Sequence, residues 1–84
     1  MRVEMDLRNF PRFRIMEYLV EAGGQLTAEY AVSGTSWTAE LIAMDPINVG
    51  LIKVRRDMLV IDGDDNAVPD IEAFMRRKTM RGGG

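Results

Sequence analysis

The sequence predicts an α+β domain, an antiparallel sheet of about five strands with two helices packed on one face, in the order β-α-β-β-β-β-α. Three observations carry that reading. In several segments apolar residues recur at every second position, the period of a half-buried strand. Two other segments space them three and four apart, the period of a helix with one buried face. Glycine, proline and acidic clusters separate these segments along a chain of 84 residues, enough for one domain and one core.

Taken in order, Val3, Met5 and Leu7 alternate with Glu4, Asp6 and Arg8 and predict a strand near residues 2 to 8. Asn9-Phe10-Pro11 reads as a helix start, with Pro11 suited to the first helical position. Phe13, Met16, Leu19 and Val20 follow at helical spacing, and Gly23-Gly24 provides the cap where the helix stops. Leu26, Ala28, Tyr30 and Val32 alternate next. After a break at Ser33-Gly34-Thr35, so do Trp37, Ala39, Leu41 and Ala43, which predicts a hairpin. Asp45-Pro46 is a turn signal, since proline biases the residue before it towards an extended conformation. Two more strands are predicted at 47 to 54 and 56 to 62, and Val54-Arg55-Arg56-Asp57 between them reads either as a bulge or as an extended run. The acidic loop 62 to 66 leads into a second helix over about 69 to 80, with Ile71, Phe74 and Met75 on its inner stripe. Residues 1–81 form the predicted domain, and 82–84 are expected to be a flexible glycine tail.

Composition excludes much chemistry. The chain has no cysteine, which removes disulfides, thiolate nucleophiles and cysteine-bearing metal motifs. It also has no histidine, the only side chain that ordinarily titrates near neutrality. An enzyme is therefore not expected, and no catalytic residue, cofactor or metal is assigned. No apolar run reaches the roughly 20 residues of a membrane helix, and the charged start MRVEMDLR is not a secretory signal, so a cytoplasmic location is expected. The net charge of −2 conceals an asymmetry, because four of the 11 basic residues fall at Arg76, Arg77, Lys78 and Arg81 while all 13 acids precede them.

Several constellations have a functional reading beside a plain one. Asp62, Asp64 and Asn66 match the start of a calcium loop, but Ala67 stands where that motif needs glycine and Ala73 where it needs glutamate. A turn feeding an acidic helix start explains them. Arg8, Arg12 and Arg14, together with Arg76, Arg77, Lys78 and Arg81, could meet a small anion or nucleic acid, although interspersed acids argue for a solvated mixed-charge surface and nucleic acid is not expected as a partner. Tyr30 and Trp37 could stack on bases, and equally could be core. Seven methionines are many for this length, and Met58, Met75 and Met80 are candidates for an adaptable interface. Open strand edges point the same way, towards a homodimer or a protein partner.

The element order resembles a single repeat of the TATA-binding-protein-like fold. More specifically, RNFPRFRIMEYLVEAGG and the hairpin after it resemble the small domain found behind the sulfur-carrier domain in MoaD-related proteins, over most of residues 2 to 75. The resemblance implies a stand-alone relative of an accessory domain linked to molybdopterin cofactor biosynthesis, with no active residues to carry over, and the residues themselves favour a non-catalytic interaction or oligomerisation domain. It also raises a sulfur carrier acting through the terminal glycines. Carriers of that type, however, begin with a β-hairpin before their helix, and their two glycines follow a strand. Here one strand precedes the helix, and three glycines follow a predicted helix.

Overall fold

The computed structural model describes residues 1–80, so Arg81 and the glycine tail lie outside the described residues. Five strands and two helices follow in the predicted order: β1 (Arg2–Arg8), α1 (Arg12–Glu21), β2 (Gln25–Ala28), β3 (Ala31–Gly34), β4 (Trp37–Val49), β5 (Ile52–Gly63) and α2 (Val68–Thr79). The sheet is antiparallel with spatial order β1-β5-β4-β3-β2. The first strand thus pairs with the last, and both helices pack on one face.

The core follows from the alternation. Met5 and Leu7 of β1, Val32 of β3, Trp37, Ala39 and Leu41 of β4, and Leu59 and Ile61 of β5 all point to the same side and are buried there. Ile15, Met16 and Leu19 of α1 and Val68, Ile71 and Met75 of α2 close over them. Gly23 takes φ +110 after α1, and the Gly24 N–H donates to the Leu19 carbonyl at 3.0 Å, so the glycine pair caps the helix as expected.

The strand boundaries differ from the sequence expectation at three places, each for a physical reason. The alternating run 25–32 is two short strands, because the chain reverses at Glu29-Tyr30. The run from Trp37 does not stop at Asp45-Pro46. Met44 pairs with Arg56 and Ile47 with Val54, so β4 spends three residues where β5 spends two. This is a β-bulge, whose extra residue needs no ladder partner, and a proline without an N–H is tolerated there. The turn that sequence placed at Asp45-Pro46 is instead at Gly50-Leu51, between the paired Val49 and Ile52, and Gly50 supplies the positive φ (+61) of a two-residue hairpin loop. Residues 54–57 form an extended run within β5.

The result is one long β4–β5 hairpin. Its base belongs to the sheet, and its outer part, beyond Met44 and Arg56, projects as a two-stranded arm that gives the molecule its 43 Å long axis. The arm's base is pinned from the helix side. Asp57, only 1% exposed, accepts a hydrogen bond from Arg12 Nε at 2.9 Å, and the Asn9 N–H donates to the Arg55 carbonyl at 2.7 Å. The Arg12 guanidinium also lies 5.9 Å from the centroid of the Tyr30 ring, so the start of α1, the arm base and the β2–β3 turn are fastened together.

Candidate functional site

Side chains at even positions of β5 point away from the helices, as the buried odd positions Asp57, Leu59 and Ile61 require. On that outer face Val60 lies between Glu4 and Glu40, Met58 beside Ile42, and Arg56 beside Met44. Without the bulge, the alternation of β4 would next present Pro46 and Asn48 outward and turn Ile47 and Val49 towards the helix side. The extra residue reverses that. Ile47 pairs with Val54, and Val49 with Ile52, all on the outer face.

One apolar stripe therefore runs from Val60, Met58 and Ile42 through Met44 onto the arm. Neither helix covers it, and its outer members are well exposed: Ile42 39%, Met44 37%, Val49 60%, Ile52 66%, with Leu51 fully exposed at the tip. Along β1 the stripe is bordered by ion pairs: Arg2 to Glu4 at 3.3 Å, Arg8 to Asp6 at 3.4 Å and Arg56 to Asp6 at 3.1 Å. The hydrogen bond from Arg56, with the field of both arginines, holds the Asp6 carboxyl below its ordinary value. Beyond the sheet end of the stripe is a concavity of about 440 Å³, with Ala31, Ile42 and Val60 in its wall and Glu40 and Asp62 among the polar groups beside it. Glu40, and Lys53 near the arm tip, have no ion-pair partner among the described residues.

A second apolar depression, about 520 Å³, lies at the other edge of the sheet, where Phe13 and Val20 of α1 face Leu26 and Tyr30 with Glu17 and Glu29 beside them.

The sequence-nominated cations do not form one surface. Arg8 and Arg76 line a common groove between β1 and α2, but Glu4 and Asp6 share it. Arg12 is bound to Asp57, and that hydrogen bond raises its pKa further. Arg14 lies 3.7 Å from Glu17, Arg76 is 2.7 Å from Glu72, and Lys78 is 3.0 Å from Glu21 while also over the rings of Tyr18 and Phe74. Arg77 is exposed on α2, and Arg81 lies outside the described residues. Of the three methionines, Met80 is exposed and Met58 is half-buried on the outer face. Met75 leaves the interface set: it follows Val68 and Ile71 on the inner stripe of α2 and is completely buried. Trp37 is core, whereas Tyr30 sits beneath Arg12, so the two aromatics share no platform. In the acidic loop the Asp64 carbonyl accepts the N–H groups of Ala67 and Val68, both at 3.0 Å, which is the turn that starts α2. No helix among the described residues is long and apolar enough to cross a membrane.

The family model described as "Archaeal MoaD-like protein" matches residues 3–84, nearly the whole chain. The chain belongs to that family. A search of curated proteins finds no match. The match bears out the resemblance to MoaD-related proteins drawn from RNFPRFRIMEYLVEAGG, and it reaches beyond residue 75 to include α2 and the terminal glycines. The stripe is the part of this MoaD-like chain that sequence reading missed. The signal was present in Ile47-Asn48-Val49-Gly50-Leu51-Ile52, whose glycine marks a hairpin loop, but the stronger Asp45-Pro46 signal drew the turn away from it.

Proposed function

We propose that this protein is a non-catalytic docking domain, for protein interaction or oligomerisation, that associates through the outer apolar stripe and its arm, as an accessory to molybdopterin cofactor biosynthesis. The observation that carries the docking role is the uncovered stripe. A two-stranded ribbon is marginal in water by itself, and one that projects apolar side chains from an ion-paired body gains stability when a partner covers it. The family name supports the molybdopterin setting. The test is affinity capture from native extract with wild type and with a Leu51→Ser, Ile52→Ser variant, alongside the molybdopterin content of cells carrying each. Retention of enzymes of that pathway by wild type alone, with lower cofactor content in the variant strain, is the expected result. Equal retention and equal content would remove this reading.

One observation favours a second reading, a sulfur carrier: the family match runs through Gly84. Against it, the helix α1 follows a single strand, and the chain enters its last residues from α2. Intact-mass measurement after incubation with an activating enzyme, ATP and a sulfur donor decides the matter. Carrier activity requires the mass change of one oxygen-to-sulfur exchange at Gly84, and an unchanged mass excludes it.

A further inference from the structure

Resting on the docking role above, we infer that the occupant of the stripe is a second copy of this chain, with the arm of each copy laid across the outer sheet face of the other about a two-fold axis near the bulge. The stripe has two halves on either side of Asp45-Pro46. The arm half is Ile47, Val49, Ile52 and Val54, and the sheet half is Ile42, Met44, Met58 and Val60. At about 3.3 Å per residue, each half is roughly 10–15 Å long. A two-fold axis at their junction therefore sets arm on sheet and sheet on arm, which is the self-complementarity an isologous dimer needs.

Two further features fit the same arrangement. Leu51, fully exposed at the tip, comes to the concavity beyond the sheet half, where Ala31, Ile42 and Val60 offer it an apolar wall. The exposed Ile42, Met44, Val49, Leu51 and Ile52 lie together on this surface, and a contiguous apolar patch of that kind marks an interaction site. The depression at Phe13 and Leu26 has acids beside it as well, but it lies on the opposite, helix-covered face of the sheet and is not continuous with the stripe.

The absence of native cysteine makes the test direct. A Leu51→Cys, Ala31→Cys variant under mild oxidation should give a covalent dimer, whereas Leu51→Cys, Leu26→Cys should not. Sedimentation from micromolar to near-millimolar concentration should show a wild-type dimer that Leu51→Ser weakens about tenfold or more. Circular dichroism confirms that each variant is folded, and the exposed tip has no packing to lose. A dimer unchanged by Leu51→Ser, or cross-linking through Leu26 in place of Ala31, overturns the inference. So does a monomer at all concentrations, and then arm-dependent capture of another protein would leave the docking role standing, while its absence would remove both.

Discussion

Asp6 and Asp57 show how the surroundings of a carboxylate decide what it does. Asp57 is buried under Arg12 and fastens α1 to the base of the arm, a pair whose disruption would strand a charge in the interior. Asp6 is half exposed on the outer face, where Arg56 and Arg8 stabilise its charged form. Its folded pKa therefore lies below the ordinary 3.8, and the unfolded chain takes up the proton first as pH falls. The resulting stability is complete above that ordinary value and is lost as pH drops through the lower folded pKa. Thermal denaturation from neutrality to strong acid should accordingly show Asp6→Asn already less stable at neutral pH, with less further loss on acidification than wild type. Parallel curves would mean that the arginines contribute nothing through this site. In the core, Leu59→Ala empties fully buried volume beneath both helices, and urea unfolding should show a loss of about 3 kcal/mol.

Among the elements, the bulge at Asp45-Pro46 has the largest consequence for function, because one extra residue determines which way the arm's side chains face. Inserting one alanine between Arg55 and Arg56, opposite the bulge, should match the extra residue of β4, restore the uninterrupted alternation and turn Ile47, Val49, Ile52 and Val54 out of the stripe, provided the Gly50-Leu51 loop keeps its place. Association should fall by about tenfold or more in sedimentation, while the unfolding midpoint of the body changes little, since the core lies on the helix side of the sheet. Full retention of association would show that the stripe's arm half is not used. The bulge also marks the limit of what sequence could disclose. The alternation in 2–8, the helical spacing in 13–20 and the cap at Gly23-Gly24 are local signals, and the structure agrees with each of them. The fate of a proline in a strand is not local, because the same dipeptide ends a strand or bends it according to whether a partner strand continues alongside. Here β5 continues, and it is itself held by β1, the strand most distant from it in sequence. The outer stripe inherits that dependence: its residues are all visible in the sequence, but their common side exists only once the bulge does.

For the whole molecule, the division of labour between the two faces of the sheet makes stability and association linked yet separable. The helices cover one face and supply the core, while the other face leaves its apolar stripe open. A domain of 84 residues has limited core volume, so covering that stripe with a second copy should add measurably to its stability. Association that requires the folded chain stabilises it by mass action, by about 2.7 kcal/mol where the binding partner is a hundredfold above Kd. The melting temperature of the wild-type protein should therefore rise with protein concentration. Leu51→Ser should melt close to the dilute wild type and show little dependence on concentration, because the tip makes no core contact. Leu59→Ala should lower the melting temperature at every concentration yet keep the upward slope, since the cavity it opens lies on the helix side. Added salt should leave the slope nearly intact, as apolar burial dominates the interface and is little affected by charge screening. A slope that vanished with salt would assign the association to charge and away from the stripe.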